Sequence, residues 1–210
     1  MRSNLKPPRT VFHGTDADFE QFDLETCLGA HFGTRQAAVD RLRSTDRLKI
    51  SYQSYPSDGS WMVREQNWSN RPAFEHGPFE DEDAAECFML TEPQYREPIA
   101  FEIDVYRPLE LGDMGTWTFE EMLTHLGRQH RDAFEHLLDD IWSAWNQSSA
   151  KGWKALKNAI SEAGYDCIAY RNETEDPGSL SWIVMDPDKI HRKWRPADTQ
   201  EAFERPRLRA

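Results

Sequence analysis

Residues 99–105, with the sequence IAFEIDV, constrain the fold most tightly, because apolar and polar side chains alternate there without interruption. A period of two residues predicts a strand with one buried face. Between residues 118 and 163, apolar side chains instead recur at helical spacing. A half-buried strand and long amphipathic helices must cover one another, so the chain is predicted to have an α+β fold.

Capping signals mark where helices begin. Thr34 precedes residues 35–43 and is a candidate N-cap, since its hydroxyl can accept a hydrogen bond from the first turn. Thr118 and Glu121 have the spacing of a capping box, which predicts a second helix start. The apolar stripe that follows is weakened at Gly127, so one broken helix and two separate helices both fit the pattern.

The later helices and the short strands follow from the same kinds of pattern. Trp142 and Trp145 fall on an apolar helical stripe and are predicted to be core residues. A further helix from Ala150 to Ala163 should end at Gly164, which can adopt the left-handed conformation. Short strands are predicted at residues 10–13, 31–32, 165–170 and 182–185 from their β-branched and aromatic content.

Residues 45–98 carry no clear periodicity and are predicted to be a long loop or insertion. Trp61 and Trp68 lie in polar surroundings there; anchoring of the loop explains them best, and contact with a ligand is the alternative. The chain is therefore predicted to form a single domain over residues 1–190 with this insertion, followed by a polar tail over residues 191–210 that is either disordered or a loosely packed arm.

Composition limits the classes of function. The chain has 210 residues, 37 acidic and 25 basic side chains, and a formal net charge of -12, so its average surface repels nucleic acid and anionic membranes. Cys27, Cys87 and Cys167 lie too far apart in the sequence for a zinc motif, and no apolar run approaches membrane-spanning length. We therefore predict a soluble, cytoplasmic protein that uses no metal.

Four short segments stand in a particular order. They are HGT at residues 13–15, GAHFGT at 29–34, AGYDCIAYRNE at 163–173 and SWIVMDPDKI at 181–190. This order resembles the ADP-ribosyltransferases of the diphtheria-toxin and poly(ADP-ribose) polymerase type, particularly the small bacterial and phage-associated members. The resemblance implies a split antiparallel β-sheet core with flanking helices, and NAD as the substrate.

The resemblance also implies how NAD would be held. His13 would hydrogen-bond the adenosine ribose, the Gly14 backbone would hold the nicotinamide carboxamide, and Thr15 would support the turn. His31 stands where the family has a tyrosine that flanks the nicotinamide ring, and it keeps a flat ring while changing its polarity. Phe32 would pack beneath that ring. The small residues Ala37 and Ala38 fall close to the expected nicotinamide position.

The catalytic position departs from the family pattern. Polymer-forming members and the toxins place a glutamate just before an aromatic-Ile-Val run, and this chain has Ser181 there. A serine hydroxyl can bond a ribose hydroxyl but cannot act as a carboxylate base. Three alternatives stay open: the acceptor supplies its own base, a carboxylate is borrowed from Glu173, Glu175 or Asp176, or NAD is bound without turnover.

The predicted function is therefore NAD-dependent mono-ADP-ribosylation of a macromolecular acceptor, either a protein or RNA or DNA. The candidate catalytic residues are His13, His31, Ser181, Glu173 and Glu175. By the same resemblance the protein would be a bacterial or phage toxin or effector, with an antitoxin or immunity partner. The alternatives are a catalytically inactive module that binds NAD or ADP-ribose, and an NAD glycohydrolase.

Overall fold

The structure is a computed structural model that describes residues 5–15, 21–66, 75–91 and 95–193. The strands within these ranges are β1 (Val11–His13), β2 (Ala30–Phe32), β3 (Ser51–Ser57), β4 (Ser60–Gln66), β5 (Glu75–Phe79), β6 (Ile99–Ile103), β7 (Pro108–Leu111), β8 (Cys167–Arg171), β9 (Leu180–Val184) and β10 (Ile190–Arg192). The α-helices are α1 (Arg35–Ser44), α2 (Glu82–Thr91), α3 (Phe119–Gln129), α4 (Arg131–Gln147) and α5 (Ser149–Glu162).

The strands form three sheets in the described part of the chain. In the first sheet, β6 lies between β1 and β10 and is antiparallel to both. The second sheet has the strand order β2-β9-β8-β7, and the third sheet, β3-β4-β5, lies in the insertion. The first two sheets meet where Phe12 and Gly33 exchange two backbone hydrogen bonds of 2.9 and 3.0 Å.

The predicted α+β class is confirmed, but the core is not wholly antiparallel. Strands β7 and β8 run parallel, with Pro108 opposite Cys167. The three helices α3, α4 and α5 lie between these two strands in the chain, and parallel neighbours require a long crossover of this kind. Helical periodicity alone does not reveal the relative direction of the strands on either side of the helices, so the sequence analysis missed this pair.

The second sheet is buried on both faces. On β8, Ile168 and Tyr170 belong to the apolar cluster that includes residues of α3, α4 and α5, whereas Cys167 and Ala169 belong to the cluster shared with the first sheet. This division follows from the alternation of side chains along a strand. Helices cover one face and the first sheet covers the other, so ligands can reach the second sheet only at its strand ends and edges.

The predicted helix signals are confirmed. The hydroxyl of Thr34 accepts a hydrogen bond of 3.0 Å from the Ala37 amide at the start of α1. Thr118 and Glu121 form the predicted capping box of α3. The helical stripe divides into two helices, and the break falls at His130 instead of at the glycine that weakens the pattern.

In the described part of residues 45–98, strands β3, β4 and β5 and helix α2 contradict the predicted long loop, whereas the alternative of an insertion is compatible with them. Strands β3 and β4 form a hairpin whose turn residues Asp58 and Gly59 have φ values of 49° and 80°. An Asp-Gly pair between two strands is a strong hairpin signal, and it was overlooked because β3 lacks an apolar alternation. Trp61 lies half-buried on β4, whereas Trp68 lies outside the described residues.

Trp142 is not a core residue, contrary to the prediction. Its side chain is 43% exposed, while Phe134 and Ile141 of the same helix are buried. The ring of Trp145 stacks on Phe119 with a centroid separation of 4.1 Å. The two tryptophans of one stripe therefore differ in burial, because Phe119 packs more closely against Trp145 than against Trp142.

The last strand includes residues that the sequence analysis assigned to the tail. His191 and Arg192 belong to β10 and pair with Glu102 and Phe101 of β6. After them, the Lys193 ammonium group donates a hydrogen bond of 2.7 Å to the Thr10 hydroxyl. Residues 194–210 lie outside the described residues.

Candidate functional site

His13, at the end of β1, and His31, in the middle of β2, come together because the first two sheets meet beside them. Phe12 pairs with Gly33 across the joint, so His13 leaves β1 next to the end of β2. The His13 ring donates from Nδ1 to the backbone carbonyl of His31 at 2.7 Å. Two segments that are distant in the sequence therefore form one continuous wall.

The two histidines line a cleft with a cavity volume of about 540 Å³. A volume of this size lies within the range of roughly 300–1,000 Å³ that small-molecule sites occupy. The predicted site residues that line the cleft are His13, Gly14, Thr15, His31, Phe32, Ala37, Ala38, Glu175 and Ser181. Glu173 does not line it.

The surroundings of His13 fix its tautomer. A carbonyl oxygen only accepts hydrogen bonds, so Nδ1 carries the proton toward His31, and Nε2 is the acceptor nitrogen when the ring is neutral. The ring centroid lies 5.2 Å from Phe22 in an edge-on arrangement and 5.6 Å from Phe32. This aromatic frame orients the imidazole at the cleft.

His31 is a neutral ring at physiological pH. Burial lowers its pKa to about 4, and the neighbouring His13 and Arg41 side chains act in the same direction, while Asp113 opposes them. Its Nδ1 lies 3.2 Å from the Tyr170 hydroxyl. His31 therefore offers the cleft a flat, uncharged ring with hydrogen-bonding capacity.

The pKa of His31 is expected to make the folded protein less stable in mild acid. The unfolded chain protonates this ring near the ordinary pKa of 6.5, whereas the folded protein resists protonation until about pH 4. As the pH falls between these values, only the unfolded state gains the proton, so the free energy of unfolding decreases by up to about 3 kcal/mol. Urea denaturation across this range measures the slope.

His31→Phe is the matched variant for this pH dependence, and His136→Phe on the exposed face of α4 is its control. We expect the slope between pH 6.5 and about pH 4 to become shallower in His31→Phe and to stay unchanged in His136→Phe. Equal slopes in all three proteins would contradict the assignment of a buried neutral ring.

Asn172 connects Ser181 to the loop that follows β8. Its buried side chain donates from Nδ2 to Ser181 Oγ at 3.1 Å and to Glu175 Oε2 at 3.3 Å. Its Oδ1 accepts hydrogen bonds from the backbone amides of Thr174 and Glu175 at 3.0 and 2.7 Å. Because both ends of the amide are engaged, the side chain fixes the loop conformation beside Ser181.

The three carboxylates of this loop occupy different positions. Glu175 is half-buried and lines the cleft, whereas the Glu173 side chain is exposed and lies outside it. Asp176 accepts a hydrogen bond of 2.5 Å from the Thr34 hydroxyl at the start of α1. Of these three, Glu175 is the carboxylate that the fold brings beside Ser181, and we do not place the Glu173 side chain in the site.

Trp117 and Tyr170 form, with His31, an aromatic wall of the cleft that was not predicted from the sequence. The Trp117 ring lies 4.6 Å from Tyr170 and 5.7 Å from His31, measured between centroids. Trp117 has a φ of 54°, a conformation that costs a residue with a side chain about 1–3 kcal/mol and that is concentrated at functional sites. One signal was available in the sequence, because Tyr170 directly precedes the polar loop of the AGYDCIAYRNE segment.

Charged side chains from three loops and α1 contribute to the lining. Asp113 accepts a hydrogen bond of 2.8 Å from the Glu173 amide and so ties the loop before α3 to the loop after β8. Arg41 pairs with Glu175 at 3.4 Å, and Arg47 also lines the cleft. The cleft therefore contains cations in a protein whose formal net charge is -12.

No family model, curated protein or solved structure matches this chain. Within the described ranges, no helix has both the length and the apolar character needed to cross a membrane. Likewise, no group of three or more His, Cys, Asp or Glu side chains among the described residues is arranged to hold a metal ion.

Gly14 is required by its close approach to α1. A Cβ atom at this position would lie 2.4 Å from the backbone oxygen of Ala38 and 3.3 Å from the Leu42 side chain. No other residue fits there unless the helix shifts. Packing thus gives a reason for the glycine that is independent of any ligand, and it also brings Ala38 to the cleft.

Proposed function

We propose that the protein is an NAD-dependent mono-ADP-ribosyltransferase. The observation that carries this proposal is that His13, His31, Glu175 and Ser181 come from separate segments and line one cleft. Three of these four residues lie in the segments whose order resembles the ADP-ribosyltransferases, and Glu175 lies two residues after the remaining segment. Proximity of this kind is what a bent dinucleotide substrate requires.

The chemistry of the lining suits the parts of NAD. The acceptor nitrogen of His13 is matched to a hydroxyl donor such as that of the adenosine ribose. His31 and Trp117 offer ring surfaces for the nicotinamide. The guanidinium groups of Arg41 and Arg47 provide charge-assisted donors for the diphosphate.

In the proposed reaction, the bond between the nicotinamide nitrogen and the ribose carbon breaks. The neutral nicotinamide leaves with the bonding electrons, an oxocarbenium-like ribose remains, and a nucleophile on the acceptor attacks the same carbon. Transfer of one ADP-ribose is favoured over polymer synthesis because Ser181 occupies the position where polymer-forming members have glutamate. The acceptor is a protein or a nucleic acid, and a role as a toxin or effector with an inhibiting partner is part of the proposal.

His13→Ala is expected to lower the transfer of ADP-ribose by at least about tenfold, since one lost hydrogen bond to the ribose is worth about 1 kcal/mol and the ring also loses its orienting contacts. Purified protein would be incubated with a bacterial lysate and NAD labelled in the adenylate, and label on protein and RNA would be counted.

Two further variants keep this experiment interpretable. His13→Phe retains a ring between Phe22 and Phe32 but lacks both nitrogens, so it should be as defective as His13→Ala. His136→Ala removes an exposed histidine and should transfer label like the wild type. Full transfer by His13→Phe would remove His13 from the NAD site.

A non-catalytic NAD-binding module is the second candidate function. It is favoured by Ser181, which is buried, bonded to Asn172 and unable to supply a negative charge. Calorimetric binding of NAD without release of nicotinamide would identify such a module. Release of nicotinamide together with free ADP-ribose, and no labelled macromolecule, would identify an NAD glycohydrolase.

A further inference from the structure

We propose that Glu175 is the catalytic carboxylate of this site and that Asn172 is the residue that positions it. This inference rests on the proposed transfer of ADP-ribose and adds to it the group that replaces the missing glutamate at position 181. The observation behind it is the arrangement of the loop after β8. The sequence pattern alone does not tell which acidic side chain of this loop faces the cleft.

The transfer reaction needs a negative group at two moments. A carboxylate stabilises the positive charge that develops on the ribose as nicotinamide departs, and it can then accept the proton of the attacking acceptor. Ser181 can do neither, because a hydroxyl remains neutral at physiological pH. An acidic side chain must therefore reach the cleft from another segment.

Glu175 meets this requirement through a shared hydrogen-bond donor. The Nδ2 group of Asn172 donates both to Ser181 Oγ, at 3.1 Å, and to Glu175 Oε2, at 3.3 Å. Two acceptors on one nitrogen lie close to each other, so the carboxylate is held beside the position of the missing glutamate. The Glu175 amide also donates to Asn172 Oδ1 at 2.7 Å, which fixes the backbone at the same point.

The ion pair between Arg41 and Glu175 can be broken when NAD binds. The ion pair between Arg41 and Glu175 measures 3.4 Å, and the arginine side chain is largely exposed. Solvent around the arginine screens the pair and limits its contribution to stability, so Arg41 can turn to the diphosphate of NAD without a large cost. The carboxylate then faces the ribose without its neutralising partner.

The proposed step is balanced with respect to atoms and charge. The carbon-nitrogen bond to nicotinamide breaks, and nicotinamide leaves as a neutral molecule. The oxygen or nitrogen of the acceptor forms the new bond to the ribose carbon, and its proton passes to the Glu175 carboxylate and from there to water. NAD and the acceptor thus yield the ADP-ribosylated acceptor, nicotinamide and one proton.

The test compares Glu175→Gln with Glu173→Gln. Both variants remove one negative charge from the same loop, but only Glu175 lines the cleft. With NAD labelled in the nicotinamide and, separately, in the adenylate, we expect Glu175→Gln to lower kcat for release and transfer by about 100-fold, the usual size of a lost general base, with KM for NAD unchanged. Glu173→Gln should match the wild type.

Full activity of Glu175→Gln would overturn the inference, as would an equal loss in both variants. Circular dichroism and thermal unfolding of each protein establish that it is folded. If Glu175→Gln does not fold, Glu175→Asp replaces it, because aspartate keeps the charge but withdraws it from the ribose. Full activity of a folded Glu175→Asp would likewise overturn the inference.

The positioning role of Asn172 is tested by a double-mutant cycle. Asn172→Ala should lower kcat and leave KM for NAD unchanged, and it should have no further effect on kcat in the Glu175→Gln background. Independent, multiplying losses in the double variant would mean that Asn172 is only a structural residue and would overturn its role here.

Failure of the proposed function has a different signature. If the wild-type protein releases no labelled nicotinamide and transfers no adenylate label, but binds NAD in a calorimeter, both the transferase and the role of Glu175 are excluded. Active wild type with active Glu175→Gln would exclude Glu175 alone and leave the transferase standing.

Discussion

Arg96→Ala is expected to destabilise the protein by about 3–5 kcal/mol, because it leaves a buried carboxylate without its ionic partner. The Arg96 guanidinium donates to Glu65 Oε2 at 2.9 Å, and the two side chains are 7% and 11% exposed. The other oxygen of Glu65 lies 3.2 Å from His76 Nε2. Equilibrium denaturation in urea, followed by tryptophan fluorescence, measures the loss.

An exposed ion pair in the same sheet provides the matched control. Arg64 pairs with Glu75 at 2.6 Å, and these side chains are 51% and 42% exposed. We expect Arg64→Ala to cost at most about 1 kcal/mol, since solvent screens such a pair. Replacing both buried partners, as Glu65→Leu with Arg96→Met, should restore most of the stability that Arg96→Ala loses. Similar small losses in Arg96→Ala and Arg64→Ala would contradict the buried-charge argument.

Trp182→Ala is expected to cost a similar amount, about 3–5 kcal/mol, because it removes a large side chain from the interior and leaves a cavity. Trp182 is fully buried and belongs to the apolar cluster between the first and second sheets, together with Phe32 and Phe101. Thermal and urea unfolding of the purified variant would both report the change.

Trp142→Ala is the control for Trp182→Ala, since it deletes the same side chain from an exposed helical position. Its effect should stay well below that of the buried variant. Trp182→Phe should lie between them, because among the described residues the Trp182 Nε1 atom has no hydrogen-bond partner and the change therefore sacrifices volume alone. Equal losses for Trp142→Ala and Trp182→Ala would show that β9 is not the centre of the core.

The parts of the fold that the sequence predicted depend on local signals. A cap such as Thr34 satisfies amides within its own first turn, and Gly164 ends α5 through its own left-handed backbone, with φ of 91°. The Asp58-Gly59 turn is also a local signal, and it marks the hairpin of β3 and β4 in the sequence, although that hairpin was not predicted. The direction of β7 relative to β8 was not available, because it depends on how far the intervening helices carry the chain.

The candidate site could be predicted in part for the same reason. His13 ends β1 and His31 lies within β2, and turn residues beside these short strands mark both of them in the sequence. Trp117 and Asn172 have no such local mark, since their roles depend on loops that approach one another only in the folded protein. The difference between Glu173 and Glu175 also needed the structure, because the two side chains share one polar loop and a similar sequence context, yet one is exposed and the other half-buried.

The sequence by itself determined the α+β class, the helix caps, the strands that carry the two histidines, and the absence of a carboxylate at position 181. Each of these depends on side-chain chemistry or on contacts within a few residues. Only the tertiary structure decided which carboxylate of the loop lies beside position 181, because hydrogen bonds from Asn172 to Ser181 and Glu175 join residues across a strand and a loop. Such contacts depend on packing between segments, and no local pattern encodes them.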